Sequence, residues 1–247
     1  MSSPAIESLL NESQIKESTG DLKGAAESAR EALRLARSEA DKPVSSHILL
    51  RSTVLAYRLG EYEEGRQLAE EVLAQSPNPQ DQVDALISLG IIEAETNDLQ
   101  TAETHFYQAA EISRTIQYSA GLARALHNQA ASIYFIEGKF TLALAAMEEA
   151  NQLKMENGDE TWGLPYLQTI TYQTTGDRKR AREALDTYLP IVRPGTRIAG
   201  GYYYLWSRMS LDEEEIEKAE EYLYLALRIA NQSGSPDLNV SVRLEYS

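Results

Sequence analysis

The chain is constrained above all by a pattern that returns six times along 247 residues. Each copy opens on a turn pair: Gly20-Asp21, Gly60-Glu61, Asn97-Asp98, Gly138-Lys139, Gly176-Asp177 and Glu214-Glu215. Five positions after each pair opens comes a small residue: Ala25, Gly65, Ala102, Ala143, Ala181 and Ala219. Successive separations are 40, 37, 41, 38 and 38 residues. A fixed period in this range is the mark of one supersecondary unit stacked on copies of itself. Each unit then buries its apolar face against its neighbours, which predicts a solenoid whose main asset is an extended surface for binding.

Helical periodicity runs through the chain and strand alternation is nearly absent. The expected repeats span 4–42, 43–78, 79–117, 118–158, 159–195 and 196–235, and together form a single solenoid over 1–247. Each holds an A helix and a B helix: 4–18 with 22–39, 45–59 with 62–75, 80–96 with 99–116, 119–137 with 140–156, 159–175 with 178–188, and 196–210 with 213–233. Pro43, Pro77, Pro79, Pro190, Pro194 and Pro236 fall between pairs, where a missing N–H costs least. Gly20, Gly60, Gly138 and Gly176 follow A helices, where a left-handed residue commonly ends a helix. Pro165 lies in the first turns of the fifth A helix, so that helix starts late or kinks. The small residue after each turn lets helix B approach helix A. A second small position recurs seven residues later, at Ala32, Ala109, Ala150 and Ala226, with Val72 and Tyr188 departing. Between the two small positions stand Ala29, Ala69, Phe106, Met147, Leu185 and Leu223, which are expected to fill the space between repeats. Residues 236–247 read as the start of another A helix with no B helix after it, so the expectation is a piece of a longer protein.

Charge and composition narrow the function. The 38 acidic residues outweigh the 23 basic ones, giving a formal charge of -15. That field repels phosphate, so direct binding of nucleic acid is not expected. There is no cysteine, which is compatible with a reducing cytosol. No apolar run approaches the length of a membrane span, about 20 residues. Met1-Ser2-Ser3-Pro4 lacks the features of a signal peptide. Cytoplasmic localisation is the expectation.

The repeats resemble tetratricopeptide repeats, whose pattern is W-x2-L-G-x2-Y…A-x3-F…P. Repeat three carries Leu86-x2-Leu89-Gly90, then Ala102-x3-Phe106 and Ala109. Repeat four carries Ala130-Ala131-x2-Tyr134, then Ala143-x3-Met147 and Ala150. Repeat two closes on Pro77, and repeat five keeps Tyr172 and Ala181. The opening Trp position holds Leu49, Leu86, His127, Pro165 or Tyr203, and the repeats exceed the family's 34 residues by about three to seven. Long alanine-rich repeats resemble the helical sensor arms of MalT-like bacterial transcriptional regulators, and the peptide-receptor domains of Rap-like regulators. This resemblance implies an all-α, right-handed α-α superhelix of about six helix-turn-helix repeats. It implies a non-catalytic arm of a transcriptional or signalling regulator, binding a peptide, protein or small effector in a groove lined by A helices. A scaffold for protein assembly, or self-association through the C-terminal repeat, is the alternative. No cofactor and no metal is implied.

Mapping the family's groove positions onto this chain selects Tyr57, Asn128, Phe135, Tyr166, Gln173, Tyr204 and Arg208. Aromatic rings, amides and one guanidinium suit an extended peptide or a modest organic ligand. Each ring has packing between repeats as its competing role. In the run Gly200-Gly201-Tyr202-Tyr203-Tyr204-Leu205-Trp206, helical neighbours are about 100° apart, so the rings divide between core and surface. Trp206 is expected inside and Tyr204 in the groove. The carboxylate clamp of chaperone-tail receptors is not expected, because Leu10 and Gln14 stand at its positions. His47, His105 and His127 lack metal-ligand spacing. Glu63-Glu64, Glu148-Glu149 and Asp212–Glu215 read as solvated faces, the last also opening a helix. Arg178-Lys179-Arg180 with Arg182 reads as a solvated basic face. Without a nucleophile elbow or a matched acid–base pair, no enzyme is expected.

Overall fold

The computed structural model describes residues 3–38, 43–157, 164–188 and 197–233, without the side chains of 164–166, 188, 197–198 and 232–233. The described residues form twelve helices and no strand. The chain divides into two compact units, Met1–Glu137 and Gly138–Ser247. In the first unit lie α1 (Pro4–Ser18), α2 (Leu22–Ser38), α3 (Ser46–Arg58), α4 (Tyr62–Gln75), α5 (Pro79–Glu95), α6 (Leu99–Thr115) and α7 (Ser119–Gln129). In the second lie α8 (Phe140–Glu156), α9 (Leu164–Thr174), α10 (Arg178–Tyr188), α11 (Arg197–Asp212) and α12 (Ile216–Ser233).

Every turn pair picked out by the period contains a left-handed residue. Gly20, Gly60, Gly138 and Gly176 have φ of 89°, 80°, 71° and 79°, and Asn97 and Glu214 have 66° and 60°. At Gly20 the local bonding shows why. Its N–H donates to Glu17 O at 3.0 Å, and the Asp21 N–H donates to Lys16 O at 2.9 Å. This paired 5→2 and 6→1 bonding satisfies carbonyls that a helix end would otherwise strand. The same two bonds close α3 at Gly60, α5 at Asn97, α9 at Gly176 and α11 at Glu214. The second residue of the pair then starts the next helix. Asp21 accepts from Gly24 N at 2.9 Å, Asp98 from Thr101 N at 3.2 Å and Asp177 from Arg180 N at 3.1 Å. The contacts to Thr101 also hold the Asp98 carboxyl below its ordinary pKa. One dipeptide thus ends helix A and caps helix B.

The small positions pack as their spacing predicts. Ala25, Ala102, Ala143, Ala181 and Ala219 are buried. A Cβ on Gly65 would meet Ile92 Cδ1 at 3.1 Å, a close approach. Ala32, Ala109, Ala150 and Ala226 are buried too, as are Phe106, Met147, Leu185 and Leu223 between the two small positions. In the first unit Ile6, Leu10, Ile48, Leu49, Leu68 and Val72 share one core cluster. In the second, Tyr202, Leu205, Trp206 and Met209 of α11 pack with Ala226, Ile229 and Ala230 of α12. Arginines tie successive B helices together outside the core: Arg30 bonds Glu61 and Glu64, and Arg37 bonds Glu71 at 2.7 Å. Partly exposed pairs like these contribute roughly 1 kcal/mol or less each.

α9 is described from Leu164, and the expected start of this helix at Asp159 lies outside the described residues. Two stretches differ in kind from the sequence reading, while several other helix ends shift by one or two residues. The carboxylate run Asp212–Glu215 does not open a helix. Asp212 ends α11, Glu214 takes the left-handed conformation, and α12 starts at Ile216. Finally, the helix expected over 119–137 changes at Gln129 into a π-helical turn, Ala130–Tyr134. There the Phe135 N–H donates to Ala130 O at 2.9 Å, a bond reaching five residues back. Residues 236–247 lie outside the description.

Two substitutions test the geometry. A Cβ at Gly90 would stand 2.5 Å from Phe106 Cε1, and Phe106 is sealed in the core. Gly90→Ala should therefore cost about 1–3 kcal/mol, read as a lowered denaturant midpoint. Glu214→Gly should instead stabilise by about 1 kcal/mol or less, because the strain of a left-handed non-glycine residue exceeds the entropy that glycine adds to the unfolded chain.

Candidate binding face

In the first unit the A helices α1, α3, α5 and α7 are laced by arginine. Arg51 on α3 donates to the buried Ser13 Oγ of α1 through Nε at 3.1 Å and Nη2 at 3.0 Å, and to Glu17 through Nη1 at 2.6 Å. Arg58, one helix end further on, bonds the other oxygen of Glu17. Across the next step, Arg124 on α7 bonds Asp84 on α5. The same Nη2 donates to Tyr118 Oη at 3.1 Å, and the guanidinium lies 6.0 Å from the Tyr118 ring centroid. Asn128 donates back to Arg124 O at 2.8 Å.

Tyr57 belongs to this constellation. Its ring is half-buried, and burial pushes its hydroxyl pKa up against the opposing fields of Arg58 and Arg124. Those fields tie Tyr57 to charges on its own helix and on α7. Burial also raises the Asp84 carboxyl above its ordinary 3.8, with Arg124 opposing the shift. Desolvation therefore outweighs the pairing at Asp84, as it often does for partly buried ion pairs.

The other expected residues fall less neatly. Phe135 is half-buried and directly follows the π turn. Gln173 on α9 is half-buried, and its Oε1 is sealed from solvent without a hydrogen-bond partner. On α11 the exposed Arg208 stands 6.0 Å from the ring centroid of half-buried Tyr204, a cation–π distance. Trp206 is in the core, with 6% exposure. The Tyr166 side chain lies outside the described residues. The field of Arg124 reaches Tyr57, Asn128 bonds the Arg124 carbonyl one turn back on its own helix, and Tyr204 lies beside Arg208.

Glu17, Arg51, Arg58, Asp84, Tyr118 and Arg124 were not selected from sequence as site residues. A signal for them exists: opposite charges one repeat apart. Arg58 lies 41 residues beyond Glu17 and Arg124 lies 40 beyond Asp84. A search for acid–arginine pairs at the repeat spacing would have found both.

Comparison with known proteins places the fold. No protein-family model and no curated protein matches the chain. Among solved structures, the Rap protein complexed with Competence and Sporulation Factor covers 99% of this chain and 74% of its own, at 13% identity and a TM-score of 0.71. BtubC from P. vanneervenii covers 94% of both chains at 16% identity and a TM-score of 0.66. A thermophilic TPR protein of Thermus thermophilus covers 81% of this chain and 97% of its own, at 19% identity and a TM-score of 0.57. The fold is an all-α solenoid of the tetratricopeptide type.

The raised pKa of Asp84 gives a signed prediction. A carboxyl with a raised folded-state pKa contributes stability below its unfolded value and loses it as pH rises through the folded value. Asp84→Asn removes this titration. Its melting temperature relative to the wild type should therefore rise as pH increases above the ordinary carboxyl value of 3.8. A fall over that window would show that pairing with Arg124 dominates.

Proposed function

We propose that the chain is a non-catalytic tetratricopeptide binding module that takes a peptide or protein segment along its A-helix face. The observation that carries this reading is Tyr57, half-buried on α3 with its hydroxyl in the fields of Arg58, Arg124 and Glu17. A half-buried ring beside fixed charges offers an apolar contact together with hydrogen-bond donors and acceptors. That mixture suits an extended backbone with alternating side chains. Asn128 adds an amide and Phe135 a ring in the same unit, and in the second unit Gln173, Tyr204, Arg208 and Tyr166 are the contacts proposed for its own A helices. The match to a Rap protein solved with Competence and Sporulation Factor supports a partner of this kind.

The finer reading is a sensing arm of a bacterial regulator, MalT-like or Rap-like, working in the cytosol. Its support is the repeat length of 37 to 41 residues and the cysteine-free composition. The adaptor reading, a scaffold joining proteins or copies of itself, draws on α12, where Ile216 and Tyr224 are more than half exposed.

Selection of binders from a random peptide library, followed by fluorescence anisotropy, tests the proposal. Tyr57→Ala and Arg124→Ala should each weaken a selected peptide roughly tenfold or more, because each removes contacts of about 1.4 kcal/mol or more. Circular dichroism should remain that of the wild type. Unchanged affinity in both folded variants would place the binding elsewhere.

A further inference from the structure

One face of α12 joins exposed apolar side chains to unpaired acids. Ile216 and Tyr224 are 54% and 59% exposed. Half-buried Leu227 lies further along the helix and packs against the core of this unit. At about 100° per residue, Ile216, Glu217, Glu220, Glu221 and Tyr224 fall within an arc of about 140°. From Ile216 to Leu227 the helix rises roughly 17 Å. Exposed apolar side chains gathered on one side of an element mark an interaction surface more often than scattered ones do.

The acids on this face have no counter-ion. Glu217, Glu220 and Glu221 are exposed, and among the described residues none of the three forms a side-chain ion pair or hydrogen bond. Lys218 is taken by Glu215 at 2.8 Å. Arg228, the cation at the edge of the arc, pairs with none of the three. Like charges three and four residues apart weaken a helix, so the arrangement favours the approach of something basic.

The first unit shows how carboxylates on a B helix are met in this chain. Glu61 and Glu64, at the start of α4, receive Arg30 from α2, and Glu71 of α4 receives Arg37. The base comes from a helix laid alongside. For Glu217, Glu220 and Glu221 none of the described helices brings it. A second copy of the chain is a poor source, because two bodies of net charge -15 repel.

We propose that this face of α12 docks a basic amphipathic helix of another protein. The apolar side of that helix covers Ile216 and Tyr224, and its lysines or arginines meet Glu217, Glu220 and Glu221. Docking here rests on the adaptor reading, which it commits to one kind of partner, and does not depend on a peptide bound along the A helices.

Fluorescence anisotropy with labelled model peptides and the full chain tests the proposal. The probe has about 18 residues of leucine and lysine at helical spacing. One control replaces its lysines by glutamate, and another scrambles it so that the leucines share no face. The basic amphipathic peptide should bind best. Changing Glu217→Lys, Glu220→Lys and Glu221→Lys together should weaken it roughly tenfold or more, and Tyr224→Ser by a similar factor. Glu27→Lys, Glu70→Lys and Glu148→Lys together alter net charge equally at exposed positions of other B helices. That variant should change affinity by about twofold or less, because screening limits the reach of distant surface charge. All these positions are exposed, and circular dichroism should remain that of the wild type.

Equal weakening by the two triple variants would mean attraction to net charge alone and overturns the proposal. Equal binding of the glutamate peptide, lost in Tyr224→Ser, overturns the basic partner but keeps the adaptor face. Self-association of the wild type in sedimentation, abolished by Tyr224→Ser, makes the occupant a second copy and overturns it too. If no peptide binds below about 1 mM and the chain stays monomeric, the docking and the adaptor reading fall together.

Discussion

The left-handed residue at the end of each A helix is the constraint on which the rest depends. It stops the helix, redirects the chain, and leaves the next residue placed to start helix B. Where that next residue is Asp, as at Asp21, Asp98 and Asp177, its carboxylate accepts from the new helix's first turn. Five residues after the turn residue, the chain must be small so that the hairpin can close. Turn, cap and small residue therefore travel as one block. The burial of Ala25, Ala102, Ala143, Ala181 and Ala219 follows from the turn that precedes each of them.

That block was legible in the sequence because its parts are local. Glycine marks a left-handed site without any knowledge of tertiary structure, and the repetition at one period turns six weak local signals into a strong one. The boundaries of α4, α8 and α10 agree with the reading to the residue. The misses had other origins. At Asp212–Glu215, acidic residues suit a helix start, but the period already placed the turn pair at Glu214-Glu215, and backbone bonding to Leu211 and Ser210 prevailed. The π turn at Ala130–Tyr134 has no marker among Ala, Ser, Ile and Tyr. It is a matter of one hydrogen bond's reach.

The binding face was half legible, for a physical reason. Aromatic and amide positions could be mapped because they recur at fixed register within one helix. The arginine–carboxylate pairs join different repeats, so their meaning lies in a relation across about 40 residues. This matters for a chain with a net charge of -15. Its carboxylates repel one another, and arginine placed one repeat away offsets that repulsion where helices approach. Arg30, Arg37, Arg51, Arg58 and Arg124 all bond acids on a different helix, and Arg182 of α10 bonds Glu213 in the turn after α11. The partners of Tyr57 are therefore part of the framework as well as of the face.

The fixed distance from turn to small residue has a consequence for how such a chain can change length. The period varies from 37 to 41 residues, yet the five-residue step never does. Variation in length is thus confined to the helices and to the connections from each B helix to the next A helix. An insertion at Gly20-Asp21 or Gly176-Asp177 would separate the stop of one helix from the start of its partner. An insertion between repeats would only lengthen a connection, at a small entropic cost. The natural splice points for exchanging, duplicating or grafting repeats in this protein are the B-to-A connections, and the A-to-B turns are where a graft would fail.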